Sequence, residues 1–239
     1  MSAQRLICSW IGAFGLATGA FGQTYVQFSI PPFDTYPTSI NAAGTVAGYF
    51  GYSFGQKHGF VRNAAGTITK FDVPGSSQTW AYSINAAGVI TGYYVNDGTL
   101  VHGFVRDPAG NFSFFDVPTG NYTYPVSINA GGAVTGYSGN DGFLRDADGT
   151  ITSFDPGFNT RAQSINSRGV ILGNYTNSTG NSVSSFVRSA DGTITLLLDQ
   201  PNFCPHGLGL ARSINEGGVI TGDCYVNQIV QSAGWVRYP

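Results

Sequence analysis

Short runs of β-branched and aromatic residues, separated by tight turns, recur along this sequence and predict strands rather than helices. Residues 89–93 (VITGY) form one such run, and residues 219–222 (VITG) form another. Each run follows a Ser-Ile-Asn-x-x-Gly segment, in which Asn begins a turn and Gly, three residues later, supplies a positive φ. The pattern therefore predicts a hairpin around each of these segments.

The Ser-Ile-Asn segment occurs five times, at intervals of 44, 44, 37 and 49 residues. In each unit an aromatic residue followed by an aliphatic residue and Arg predicts a third strand, as in residues 59–62 (GFVR). A second tight turn then leads to a fourth strand, predicted at 68–73, 112–117, 151–155 and 194–199. The repeat units begin near Ser39, Ser83, Ser127, Ser164 and Ser213.

A fifth copy of the fourth strand lies near the start of the chain, where residues 25–31 (YVQFSIP) align with residues 68–74 (ITKFDVP). The repeat is therefore circularly permuted, which suits a ring whose last sheet takes one strand from the other terminus. We predict an all-β fold: a five-bladed β-propeller of four-stranded blades, closed by an N-terminal strand that completes the last blade. The alternative is an open β-solenoid, whose repeats are usually shorter and whose ends need capping.

Composition supports one exported domain. The chain has 239 residues, of which 42% are hydrophobic, and this is enough for a single β-propeller domain over residues 23–239. Only 10% of residues are charged and the formal net charge is −2, so we expect no nucleic-acid partner.

Residues 1–22 have the features of a signal peptide: Arg5, an apolar run over residues 6–21, and small residues at 20 and 22. The run is shorter than the about 18 to 20 residues that usually span a membrane, although a retained anchor is the alternative. We predict a secreted protein, extracellular or periplasmic, with no membrane contact after cleavage. Cleavage would remove Cys8 and leave Cys204 and Cys224, which we expect to form a disulfide in an oxidising compartment.

The Ser-Ile-Asn-x-x-Gly segments, together with the downstream His-Gly-Phe at residues 58–60 and 102–104, resemble the HAF family of extracellular bacterial repeat proteins. The resemblance covers nearly all of residues 23–239. It implies export and a repeat fold, and it supplies no catalytic residues.

The connections that lead from each fourth strand to the next unit, and from second to third strands, are long and dissimilar, and loops of this kind usually carry binding residues. They are rich in aromatic rings, which suit sugar faces and protein surfaces, although such rings also pack adjacent blades together. We predict a ligand-binding module without a cofactor, with a glycan ahead of a cell-surface or extracellular protein as its partner. The candidate ligand-binding residues are Tyr36, Trp80, Tyr94, Tyr122, Tyr124, Phe158, Tyr175 and Phe203.

Two alternatives remain open. One is a structural or protein-interaction protein of the cell surface. The other is a glycoside hydrolase, which needs two facing carboxylates, one of them with a raised pKa. The acids available on the variable loops are Asp34, Asp97, Asp141 and Asp223, while Glu216 lies in a tight turn. The chain's three His residues lack the spacing of a metal site. The Arg of each third strand and the Asp that follows each fourth strand are predicted to be structural ion pairs or charges on sheet edges.

Overall fold

A computed structural model of the protein describes residues 25–96, 100–118, 120, 122–176, 183–197, 210–225 and 232–239. This part of the chain forms nineteen strands in five antiparallel sheets, of which the first four have four strands each and the fifth has three. Among the described residues, no helix is long and apolar enough to cross a membrane. The predicted signal peptide, Asp97, Phe203 and Cys204 lie outside the described residues.

The strands follow one another along the chain within each sheet. The first sheet contains β1 (Asp34–Ile40), β2 (Val46–Gly51), β3 (Lys57–Arg62) and β4 (Ile68–Phe71). The second contains β5 (Gln78–Ile84), β6 (Ile90–Val95), β7 (Val101–Arg106) and β8 (Phe112–Phe115). The third contains β9 (Thr123–Ile128), β10 (Val134–Ser138), β11 (Asp141–Arg145) and β12 (Ile151–Phe154). The fourth contains β13 (Phe158–Ile165), β14 (Ile171–Thr176), β15 (Val183–Arg188) and β16 (Ile194–Leu197), and the fifth contains β17 (Leu210–Ile214), β18 (Ile220–Tyr225) and β19 (Ser232–Arg237).

The repeated Ser-Ile-Asn-x-x-Gly segment forms the predicted turn in every unit. In the second sheet, the Gly88 N–H donates to the Asn85 carbonyl at 3.0 Å, and Gly88 has a φ of 82°. The Asn85 side-chain oxygen also accepts a hydrogen bond from the Val89 N–H at 3.0 Å. The positive φ explains the glycine, since residues with a Cβ rarely adopt it.

The first four sheets pack on one another through phenylalanines. Their third strands bury a Phe completely, and the Phe at the end of the preceding sheet's fourth strand packs edge-on against it, as Phe71 does against Phe104 at 6.5 Å. At the fifth sheet, Leu197 and Trp235 belong to the corresponding core cluster. Phe71 also lies opposite Gly59 on the neighbouring strand of its own sheet. A Cβ at Gly59 would lie 2.5 Å from the Phe71 ring. The Gly-Phe pair of the repeat therefore leaves space for one ring and buries the other.

The same asparagines also join neighbouring sheets. Nδ2 of Asn41 donates to the Asn85 carbonyl at 3.1 Å, and this bond recurs from Asn85 to Asn129, from Asn129 to Asn166 and from Asn166 to Asn215. We call this series the asparagine ladder. It fixes each turn to the next along the stack of sheets.

The N-terminal segment lies beside the first sheet, and its residues 25–29 form no strand. Phe28 packs edge-on against Phe60 at 5.9 Å, and the Ile30 N–H donates to Thr35 Oγ1 at 3.0 Å, as the Val73 N–H does to Thr79 Oγ1. Phe71 of the fourth strand β4 and Val73 make the same contacts with the second sheet. The alignment of residues 25–31 with residues 68–74 therefore agrees with how this segment packs on the first sheet.

The predicted pairing of this segment with the last blade is wrong for the described residues, because residues 25–29 contain no strand and the fifth sheet ends at β19. Apolar contact with the first sheet holds the segment instead. Consistent with an uncovered face on β1, Ile40 is 67% exposed, whereas its counterparts are 6–7% exposed. Those counterparts are Ile84, Ile128, Ile165 and Ile214.

Among the described residues, the arginines of the first four sheets do not form the predicted ion pairs with the repeated aspartates. Arg106 lies over the Phe71 ring at 4.6 Å and donates to the Asp107 carbonyl at 3.3 Å. Asp116, at the end of the same hairpin, instead contacts Nδ1 of His102 at 2.9 Å. The arginine thus covers an aromatic ring between two sheets, where its planar group packs well.

Candidate functional site

A continuous row of aromatic rings crosses the first three sheets, which we call the aromatic belt. Its rings lie mainly on the first and second strands of each sheet, and the first strands of consecutive sheets contact one another. Neighbouring ring centroids lie 4.5 to 6.5 Å apart. The belt consists of Tyr36, Tyr49, Trp80, Tyr82, Tyr93, Tyr122, Tyr124 and Tyr137.

The belt arises from equivalent positions in the repeat. Tyr36 lies opposite Tyr49 across β1 and β2, Trp80 opposite Tyr93, and Tyr124 opposite Tyr137. Each of these pairs is in ring contact, and contacts such as that of Tyr49 with Trp80 at 4.5 Å connect one sheet to the next. Such pairs stabilise the packing of neighbouring sheets and also present ring surface to solvent. Tyr36 and Tyr122, at the two ends of the belt, are the most exposed of its rings.

In the last two sheets the same positions carry no aromatic ring, and three of the four are polar. Arg161 lies opposite Asn174 in the fourth sheet, and Leu210 lies opposite Asp223 in the fifth. Arg161, Asn174 and Leu210 line a pocket of about 220 Å³, which we call the polar pocket. It is lined by Asn159, Arg161, Gln163, Asn174, Thr176, Val183, Leu210 and Arg212.

Arg161 connects the belt to the polar pocket, because its guanidinium lies over the Tyr137 ring at 4.3 Å. Across the pocket, Arg212 contacts the Asp223 carboxylate, with Nη2 and Oδ2 at 3.2 Å. The site is thus a track along the first two strands of successive sheets, aromatic at one end and polar at the other.

Burial affects the acidity of the tyrosines in the belt. Desolvation raises the pKa of Tyr93 above its ordinary value, and the neighbouring Tyr82 raises it further. The pKa values of Tyr49, Tyr124 and Tyr137 are raised as well, again mainly by burial. These hydroxyls therefore stay protonated at neutral pH and act as hydrogen-bond donors and acceptors.

Four of the predicted ligand-binding residues, Tyr36, Trp80, Tyr122 and Tyr124, come together in the belt. The sequence predicts a loop at Trp80, but this residue lies within β5, because the first strand of the repeat begins at Gln78 rather than near Ser83. The register shift between Ala81 and Ser83 interrupts the alternation there.

The other predicted residues lie elsewhere. Tyr94 and Tyr175 are buried, with Tyr94 stacked on His102 at 5.2 Å. Phe158 is exposed at the start of β13, and Phe203 lies outside the described residues. The candidate list does not include Tyr49, Tyr82, Tyr93 and Tyr137. The Gly-Tyr pair that recurs at residues 48–49, 92–93 and 136–137 is a signal for three of them.

Three of the acids considered for a hydrolase, Asp34, Asp223 and Glu216, are engaged in other contacts. Bonds from Ser167 lower the pKa of Glu216, and the Arg212 guanidinium lowers that of Asp223. A glycosidase's general acid needs a raised pKa, so neither carboxylate suits that role. Asp34 accepts a hydrogen bond from Ser53 at 3.0 Å. In the described part of the chain, no three His, Cys, Asp or Glu residues form a group that could hold a metal ion.

Solved structures with the same arrangement of sheets identify the class of protein as β-propeller-like. One is the β-propeller domain of the trilobed protease from Pyrococcus furiosus, with a TM-score of 0.60 and 11% identity over 85% of this chain and 69% of that one. Another is TolB from Acinetobacter baumannii, with a TM-score of 0.52 and 16% identity over 80% of this chain. The match spans about half of that TolB chain, 51%. At these identities the likeness concerns the fold alone.

The chain belongs to the DUF3466 family, described as a protein of unknown function, whose profile matches residues 38–187. This range runs from the first sheet into the fourth and includes the whole aromatic belt except Tyr36. No curated protein matches the chain. The resemblance to HAF repeats stays a prediction.

Proposed function

We propose that this protein is a secreted carbohydrate-binding module, in which the aromatic belt and the polar pocket together contact one saccharide chain. The observation that carries the proposal is the continuity of the two surfaces along equivalent positions of the repeat. Arg161 lies at their junction, within 4.3 Å of the Tyr137 ring.

The chemistry of the two surfaces suits a sugar. Pyranose rings have apolar faces that pack on Tyr and Trp, while their hydroxyls need hydrogen-bond partners. The half-buried Trp80 and the exposed Tyr122 supply ring surface. Side chains such as Asn159 and Gln163 in the polar pocket supply donors and acceptors. A row of equivalent sites suits a ligand that is itself a repeating polymer.

The test is a glycan array probed with purified protein, followed by calorimetric titration of the best oligosaccharide and a hydrolysis screen. We expect saturable binding without turnover. Tyr122→Ala should weaken binding by about 5-fold to 150-fold, because it removes a contact of about 1 to 3 kcal/mol.

Phe54→Ala is the matched control, since Phe54 is a fully exposed ring outside the belt. It should leave the affinity unchanged. Equal affinity of well-folded Tyr122→Ala and wild-type protein would remove this residue from the site. A complete absence of saccharide binding would contradict the proposed function.

A further inference from the structure

The guanidinium of Arg161 is held in place on two sides. Its Nη1 donates to the Gly139 carbonyl at 3.0 Å and to the Thr160 carbonyl at 2.9 Å. The face of the group lies on the Tyr137 ring at 4.3 Å. These contacts fix the plane of the side chain before any ligand arrives, so little rotamer freedom remains to be lost on binding.

The opposite edge of the same group is available. A guanidinium has five N–H donors, and the two on Nη1 are occupied by the two carbonyls. Within the part of the chain that the structure describes, Nε and Nη2 of Arg161 have no hydrogen-bond partner. This edge presents two parallel N–H groups, the geometry that matches the two oxygens of a carboxylate.

The surroundings of this edge favour an anion. Arg161 and Arg212 both line the polar pocket, and the acid next to it, Asp223, is paired with Arg212. The pocket therefore has an excess of positive charge, although the whole chain has a formal net charge of −2. Asn159 and Gln163 add neutral polar groups that suit sugar hydroxyls.

We propose that Arg161 binds the carboxylate of an acidic saccharide, so that the preferred ligand is a polymer containing uronic acid residues. The uronate lies in the polar pocket, with its carboxylate on Nε and Nη2 of Arg161, and the adjoining sugars stack along the aromatic belt. This inference rests on the proposed function and narrows it to one class of polysaccharide.

The experiment compares calorimetric titrations of the protein with hexagalacturonate, its fully methyl-esterified form, a neutral hexaglucan and a sulfated hexaglucan. Methyl esterification removes the charge and keeps the sugar ring. We expect it to weaken binding by about 10-fold to 100-fold, the effect of losing a charge-assisted bidentate contact. Arg161→Gln should bind the acid and the ester equally, and Arg161→Lys should recover only part of the preference because it restores charge without the paired donors.

Arg168→Gln is the control for charge, because Arg168 lies in the turn after β13 and does not line the pocket. It should keep the full preference for the acid. A melting curve of each variant checks folding, and the Lys variant carries the test if Arg161→Gln unfolds.

The outcomes separate the two proposals. Equal binding of acid and ester by the wild type would overturn this inference and leave the carbohydrate-binding proposal standing. Tighter binding of the sulfated glucan than of hexagalacturonate would overturn the assignment to a carboxylate. Failure to bind any of the four saccharides, together with a negative array, would overturn both.

Discussion

The asparagine ladder gives the sharpest test of how the sheets are held together. Asn129 is 7% exposed, and its Nδ2 donates to the Asn166 carbonyl of the next sheet at 3.1 Å. Its Oδ1 accepts from the Ala133 N–H of its own turn at 2.9 Å. Each hydrogen bond contributes about 0.5 to 1.5 kcal/mol, and a buried partner left unsatisfied adds to the loss. Asn129→Ala should therefore lower the free energy of unfolding by about 2 to 3 kcal/mol.

Asn215→Ala is the matched control, because Asn215 keeps the bond within its turn, to the Val219 N–H at 2.9 Å, and is the last residue of the ladder. It is exposed, and we expect a loss of only about 1 kcal/mol. For a chain of this size, about 2 to 4 °C of Tm corresponds to each kcal/mol, so Asn129→Ala should melt about 4 to 12 °C below wild type. Thermal and urea unfolding followed by circular dichroism measure both variants. Equal losses would show that the asparagines act only within their own turns and would refute the ladder as a stabilising connection.

Three further predictions follow from single contacts. Because burial raises the pKa of Tyr93, the folded protein keeps a proton that the unfolded chain releases, so the free energy of unfolding should fall as pH rises above about 10. Tyr93→Phe should move the onset of this loss to higher pH, and unchanged alkaline melting curves would contradict it. Phe28→Ala should lower Tm by about 3 to 10 °C, because Phe28 is half-buried against Phe60 and such truncations leave a cavity, whereas Val26→Ala should melt like wild type. Mass spectrometry of the exported, unreduced protein should find residues 204 and 224 in a disulfide, and two free thiols would rule this out.

The turns and the number of sheets could be predicted from the sequence because their causes are local. Asn85 and Gly88 form a turn with their own backbone, whatever the rest of the chain does. The role of Asn85 Nδ2 could not be predicted, since its partner is a carbonyl 44 residues away whose position depends on how the sheets stack. The same applies to Arg106. The recurrence of Arg and Asp in each repeat predicts an acidic partner for it, while sheet packing places it on Phe71.

The candidate site was predictable in residue type but not in arrangement. Trp80 and Tyr122 were recognised as aromatic candidates, and the structure places both in the belt. The sequence pattern predicts a loop at Trp80, because the register shift beside Ala81 interrupts the alternation of the strand that carries it. Tyr94 is next to a belt residue in sequence, yet adjacent strand residues point to opposite faces, so it is buried in the core instead.

Trp80 allows one direct measurement of the central claim that saccharides bind along the aromatic belt. The sequence contains three tryptophans, and Trp10 lies in the predicted signal peptide, so residues 23–239 retain only Trp80 and Trp235. Trp235 is 7% exposed in the core of the fifth sheet, whereas Trp80 contacts Tyr49 and Tyr93 in the belt. Titration with hexagalacturonate should change the tryptophan emission with the same Kd as calorimetry, and the change should persist in Trp235→Phe and disappear in Trp80→Phe. Binding by calorimetry with no change in Trp80 emission, or a change that persists in folded Trp80→Phe, would contradict the account.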